Sequence, residues 1–112
     1  MNDLDADWQR PGGTLSDKTA RSEFGLTEAE IVQAIRQGKL HCRRGSVYGN
    51  PFLRLLRREV EALVKKEHGS AYLTKQKSKT ELARIDGELK QLRAKVAALE
   101  ARRAKLRGQV SG

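Results

Sequence analysis

A single cysteine, Cys42, stands among the 112 residues of this chain. No disulfide can close within it, so secretion is not expected and a reducing cytoplasm suits it. Long apolar runs are missing too, which leaves no expected membrane span. The acidic start has the wrong sign for a signal peptide. Catalytic signatures are also absent: there is no HExxH, no phosphate-binding loop, no G-x-S-x-G elbow and no dinucleotide fingerprint. Ser, His and Asp occur, but no spacing aligns them as a triad, so enzymatic activity is not expected. His41, Cys42 and His68 are the only His and Cys residues, and their spacing suits no zinc site. Cys42 is expected as a small buried strand residue. No metal, cofactor or small-molecule ligand is expected.

What the chain has is positive charge, +9 overall. Asp3, Asp5 and Asp7 against Arg10 make residues 1–14 acidic. The stretch 15–70 carries eleven Lys and Arg against seven Asp and Glu, and 71–112 carries eleven against four. A basic middle and end favour polyanionic partners, chiefly nucleic acid. The plainer alternative is a solvated basic surface.

The strongest pattern lies at the end. Leu82, Ile85, Leu89, Leu92, Val96, Leu99 and Leu106 recur at alternating spacings of three and four, and Arg103 keeps the register. Such a seam must bury itself against another helix. With Leu82, Leu89, Val96 and Arg103 at heptad position a, residues Ile85, Leu92, Leu99 and Leu106 fall at d. The expected partner is a second copy, forming a homodimer through 82–106. The alternatives are a helix folded back on its own domain or a helix of another protein. In a parallel pair Glu88 would meet the partner's Arg93 and Lys95 the partner's Glu100, while Arg102 would repel the partner's Arg107. In an antiparallel pair centred near residue 94, Glu88 would meet the partner's Arg102 and Arg93 the partner's Glu100. These contacts leave the orientation open. Gly87, at f, costs ~1 kcal/mol of helix propensity.

Residues 1–14 read as a flexible acidic arm that ends at the turn signal Pro11-Gly12-Gly13; Trp8 could dock on the core, although a solvated tail fits such an arm better. From Leu15 to Gly69, about 55 residues remain for a core, a size at which folding is marginal. Ser16 can cap a helix with Asp17 in its first turn and Ala20 and Phe24 on its apolar side, and Gly25 ends it. Thr27 and Glu30 form a capping box for a second helix that buries Ile31, Ala34 and Ile35 and stops at Gly38. Lys39 to Leu56 reads as two short strands joined by a Gly-rich loop, a β-hairpin whose exact turn the sequence leaves open, with Pro51 at an edge or at the start of the second strand. Arg57 to His68 is helical, with Val60, Leu63 and Val64 on one face, and Gly69 closes it. A long basic helix follows over 70–112, capped by Ser70, whose polar start, Lys75 to Lys79, stands free of any partner.

Four segments carry a resemblance: Leu-Ser-x-Lys-x-Ala at 15–20, Phe-Gly-Leu-Thr at 24–27, Ile-x-x-Gly-Lys-Leu at 35–40, and Leu-Leu-Arg-Arg-Glu-Val-Glu-Ala-Leu at 55–63. About half the chain resembles the small winged helix-turn-helix fold of the MerR and phage excisionase class. It is also similar to the C-terminal DNA-binding segment of the xeroderma pigmentosum group A repair protein, and the plan is shared by some phage small terminase subunits. The resemblance implies a mostly α fold, with a winged helix-turn-helix of three helices plus a β-hairpin wing over 15–69 and a coiled-coil helix behind it. It implies double-stranded DNA as partner, with the second helix in a major groove and the wing on the backbone. The location it implies is cytoplasmic, as in a bacterial or phage-encoded nucleoid-associated protein.

Carried over by position, the groove-facing residues are Glu28, Gln33, Arg36 and Gln37. Arg and Gln can make bidentate bonds to guanine and adenine edges, whereas Glu28 suits the helix dipole better. The wing offers Lys39, His41, Arg43, Arg44, Ser46 and Tyr48, and Arg43 and Arg44 rank first as phosphate contacts. Arg54, Arg57 and Arg58 flank the start of the third helix, where phosphate is attracted. Were about six of these cations to neutralise phosphates, log K would fall against log salt with a slope of roughly −5. The roles that fit are transcription regulation and the excision, packaging or repair of DNA. A different class, a protein-interaction adaptor using the coil without nucleic acid, also fits, and so, less well, does RNA binding by the basic helix.

Overall fold

The computed structural model of the chain describes residues 3–112. In chain order its elements are α1 (Asp3–Gln9), β1 (Thr14–Ser16), α2 (Asp17–Phe24), α3 (Glu28–Arg36), β2 (Cys42–Val47), β3 (Asn50–Leu56), α4 (Arg57–His68) and α5 (Ser70–Ser111). The fold is mostly helical, with one small antiparallel sheet of order β1-β3-β2 and a long C-terminal helix. It divides into two compact units, one reaching Ser78 and one from Lys79 to Gly112.

Local signals set the helices of the first unit. The Ser16 hydroxyl oxygen accepts from the Thr19 amide at 3.0 Å, filling one of the open donors of α2. Gly25 ends α2 in the left-handed region, at φ 69°, and its N–H donates to the Arg21 carbonyl at 2.9 Å. Only Gly25, Leu26 and Thr27 separate α2 from α3. Thr27 and Glu30 form the expected capping box, each side chain accepting from the other's backbone N–H at 3.1 Å. Leu15, Ala20, Phe24, Leu26, Ile31, Ala34, Leu40, Leu55, Val60, Leu63 and Val64 make one buried cluster. Each large apolar side chain there contributes roughly 1.5–3 kcal/mol by leaving water.

The hairpin expected over 39–56 is present as β2 and β3, and the structure supplies the turn that the sequence left open. Its tip is Tyr48-Gly49, at φ 51° and 81°, two consecutive positive values that suit the twist of a two-residue turn. Gly45 instead lies inside β2 opposite Phe52. A Cβ there would come within 2.7 Å of Phe52 Cζ, so the missing side chain makes room for the ring rather than for a turn. Pro51 sits near the start of β3, where that strand pairs with β2 alone, because β1 spans only the stretch opposite Arg54 to Leu56. There its missing N–H costs no second ladder. Leu15 lies in β1, a third strand that the sequence does not announce.

Other expectations are corrected. Residues 3–9 are helical rather than a flexible arm, and Trp8 and Asp7 are both buried, at 6% and 8% exposure. Met1 and Asn2 lie outside the described residues. Cys42 is exposed, because it lies on the outer strand at the end where β2 begins. The first unit also extends beyond Gly69. Tyr72 and Leu73, in the first turn of α5, pack on the core, and the Tyr72 hydroxyl donates to the Phe24 carbonyl at 2.9 Å. Lys77 pairs with Glu61 at 3.2 Å, so the polar start of α5 is not free of partners.

In the second unit α5 buries no residue. All seven apolar residues of the heptad seam are exposed, from Ile85 at 38% to Leu82 at 60%. Arg84 pairs along the helix with Glu81 and Glu88. No helix among the described residues is long and apolar enough to cross a membrane.

Candidate nucleic-acid interface

The outer face of α3 follows from its inner one. Ile31 and Ala34 are buried, so Gln33, Arg36 and Gln37 project outward and are exposed. Glu28 is exposed in the first turn, where the helix dipole favours a carboxylate. Glu30 is held by the capping box, and the backbone N–H of Thr27 in particular lowers its pKa below the usual 4.5. His68 Nε2 lies 3.2 Å from its other oxygen. Gln33, Gln37 and Lys39 line a shallow depression together with Glu30 and Glu67. Lys39 pairs with Glu67 at 3.8 Å. The would-be reading face thus has acidic neighbours on one side.

The hairpin separates residues that the sequence treats together. Neighbours on a strand point to opposite faces, so Arg44 lies on the sheet face of Leu53 and Leu55, and Arg43 on that of Arg54. Trp8 occupies the second face. The guanidinium of Arg43 lies over its ring at 4.6 Å and that of Arg54 at 5.7 Å. Arg54 also donates to the Trp8 carbonyl and to Thr14 Oγ1, both at 3.4 Å. His41 uses its backbone N–H and Nδ1 on the Glu59 carboxylate, at 2.8 and 2.7 Å. Ser46 and Tyr48 are exposed, and Tyr48, at the tip, is fully so.

At the start of α4 both arginines are engaged within the fold. Arg57 donates to Glu23 at 3.0 Å and to the Gly12 carbonyl at 3.2 Å. Arg58 donates to Asp7 Oδ2 at 2.6 Å. Of the cations singled out by sequence, Arg36 and Arg44 stay exposed with no partner among the described residues. Lys39 is loosely held, and Arg43, Arg54, Arg57 and Arg58 serve the docking of α1 and the loop behind it. Sequence reasoning missed Asp7, Trp8 and Glu23 as their partners. A bulky Trp beside an Asp in a chain rich in Arg was the available signal.

No group of three or more His, Cys, Asp and Glu among the described residues could hold a metal ion. Every buried side-chain polar atom among them has a hydrogen-bond partner, so none waits for a ligand. Comparison with protein-family models, curated protein sequences and solved structures found no match to this chain.

Proposed function

We propose that the chain is a DNA-binding protein of the winged helix-turn-helix kind, paired through its C-terminal helix. Its role would be that of a transcriptional regulator or of a factor acting on phage or mobile-element DNA. In this reading α2 and α3 are the helix-turn-helix, β2 and β3 the wing, and α3 enters a major groove. The supporting observation is the outward set on α3 and the hairpin: Gln33, Arg36, Gln37, Arg44 and Tyr48 are all exposed on short elements fixed to one core. Such side chains suit base edges and phosphates.

Fewer cations are available than the sequence suggests. With Arg43, Arg54, Arg57 and Arg58 held in the fold, about three phosphate contacts remain, from Arg36, Lys39 and Arg44, and the expected salt slope is roughly −2.7. The test is anisotropy of a labelled random duplex from ~50 to ~200 mM salt. Binding with that slope is the expected result, and no binding at the lowest salt would end this reading.

A second reading, a protein-interaction adaptor without nucleic-acid binding, is favoured by one observation. Four of the arginines assigned to DNA already have internal work, and Glu30 and Glu67 border the face of α3. Lack of duplex binding together with an intact oligomer would favour it.

A further inference from the structure

We propose that the long helix pairs with a second copy of itself in an antiparallel coil whose centre falls between Lys90 and Gln91. This rests on the self-pairing in the reading above and adds its orientation and register. The seam is open to such an occupant. All of its apolar residues are exposed. Where α5 begins, it meets the core through Tyr72 and Leu73 and pairs Lys77 with Glu61. Ser78 and Lys79, which continue the seam at d and its flank at e, are exposed. The flanking charges identify the occupant.

Along the e and g positions Lys79 comes first, then Glu81, Asp86 and Glu88, then Arg93, Lys95, Glu100, Arg102 and Arg107. A parallel pair sets like ends together. Glu81 then faces the partner's Asp86, and Arg102 the partner's Arg107. These repulsions offset the attraction of Glu88 for the partner's Arg93 and of Lys95 for the partner's Glu100. A parallel pair also places Arg103 against the partner's Arg103 inside the seam, where like charges are costly.

In an antiparallel coil each a residue lies level with a d residue of the partner. The nearest flanking contacts then join g to g and e to e, two residues to either side of that level. Set Leu89 level with the partner's Leu92. Ile85 is then level with the partner's Val96 and Leu82 with the partner's Leu99, so the middle of the seam is apolar throughout. On the g flank Glu81 meets the partner's Arg102 and Glu88 the partner's Lys95. On the e flank Asp86 meets the partner's Arg93 and Lys79 the partner's Glu100. Each contact occurs twice, and every one joins opposite charges. Arg103 falls level with the partner's Ser78, a small polar group, and Leu106 with the partner's Lys75, whose aliphatic stem can cover it. Glu81 and Glu88 also pair with Arg84 along their own helix. Such exposed pairs are weak and leave both carboxylates able to accept from a partner's cation.

Neighbouring registers fail by the same rule. With Leu89 level with the partner's Leu99, Asp86 meets the partner's Glu100, Arg93 the partner's Arg93 and Lys95 the partner's Lys95. With Leu89 level with the partner's Ile85, Glu88 meets the partner's Glu88, Asp86 the partner's Asp86 and Lys79 the partner's Arg93. With Leu89 level with the partner's Leu106, Lys95 meets the partner's Arg102. Only the register centred between Lys90 and Gln91 is attractive along both flanks.

The test uses the full chain with Cys42→Ser and one new cysteine, Gly87→Cys, Ala94→Cys or Gly108→Cys, carrying a spin label. All three positions lie at f, away from the seam. Ala94 is exposed, and a Cβ at either glycine meets nothing within 4 Å. At 1.5 Å rise per residue this register separates the two labels along the axis by ~10 Å at 87 and at 94, and by ~52 Å at 108. Pulsed dipolar measurements should therefore give matching short distances at 87 and 94 and a far longer one at 108. Equal distances at all three positions, as in a parallel coil, would overturn the orientation and leave self-pairing intact. Unequal distances at 87 and 94 would overturn the register. A single-copy species in sedimentation would overturn the proposal and the self-pairing together. Charge exchange supplies an independent sign. Asp86→Lys should weaken the dimer several-fold, and adding Arg93→Glu should restore it, because the two residues meet across the coil. In a parallel coil Asp86→Lys would tighten the dimer, through the partner's Glu81, and adding Arg93→Glu would weaken it, through the partner's Glu88. That pattern would sink the proposal. Duplex binding is not read by these measurements, so their failure leaves the DNA-binding reading to its own test.

Discussion

Arg43 and Arg54 stand directly opposite each other on adjacent strands, and the Trp8 ring lies against both guanidinium groups. Two like charges opposed on a sheet repel. The electron-rich face of the indole attracts each of them and offsets that repulsion. Trp8→Ala would remove a buried aromatic and expose the conflict, lowering stability by ~3 kcal/mol. A thermal melt should show a drop of many degrees, and Trp8→Phe should recover part of it. An unchanged melting temperature in Trp8→Ala would mean that α1 is not docked on the sheet in solution.

Arg43 and Arg44 are adjacent in sequence but differ in surroundings, so charge reversal should separate them. Arg44→Glu is expected to weaken duplex binding by about tenfold, ~1.4 kcal/mol, with little change in melting temperature. Arg43→Glu is expected to lower the melting temperature, because it loses the contact with Trp8. Anisotropy and melting on the same two variants check both halves. Equal effects on stability would contradict the assignment of Arg44 as an exposed residue without a partner among the described residues.

Gly25 combines a left-handed backbone with a close neighbour, since a Cβ there would lie 2.6 Å from the Tyr72 hydroxyl oxygen. Gly25→Ala should cost ~1–2 kcal/mol for the backbone alone, with the clash added. Tyr72→Phe should cost ~1 kcal/mol for the lost bond to the Phe24 carbonyl. The two together should cost less than the sum of their separate effects, because removing the hydroxyl also removes the clash. Denaturant melts of the three variants measure the difference, and strict additivity would contradict the close approach.

Glu30 gives a pH dependence with a definite sign. Its carboxyl is held below the usual 4.5, mainly by the Thr27 backbone N–H. A carboxylate with a depressed pKa in the folded state adds stability above its unfolded value, and that stability is lost as pH falls through the folded one. Acid titration of the chain should therefore show a loss beginning near pH 4.5 and continuing below it. Glu30→Ala should be less stable at neutral pH and show a shallower decline on acidification. Parallel acid curves for the two proteins would remove Glu30 from the account.

Much of the first unit could be read from short-range chemistry. Ser16, Gly25 and the pair Thr27–Glu30 mark helix ends because the groups that satisfy a terminal N–H or carbonyl sit within four residues of it. The spacing of Val60, Leu63 and Val64 likewise identifies the buried face of α4. The hairpin was legible as a hairpin, but its tip was not. Gly45 looks like a turn residue until Phe52 is placed opposite it, and that pairing depends on a register set over several residues. For the candidate site, the outward direction of Gln33, Arg36 and Gln37 followed from the helical period. The engagement of Arg54, Arg57 and Arg58 did not, because their partners lie at least 34 residues away in the chain.

The sequence by itself determined the helix boundaries around Gly25 and the capping box, the heptad seam, and the direction in which charge changes along its flanks. These rest on interactions within one or two turns, or on a repeat that any straight helix must display. Only the tertiary structure decided that Trp8 and Asp7 are structural, that Arg43 and Arg44 part company, and that Tyr72 belongs to the core. Each of those depends on which distant surfaces meet when apolar groups leave water, a choice that no local pattern in the chain encodes.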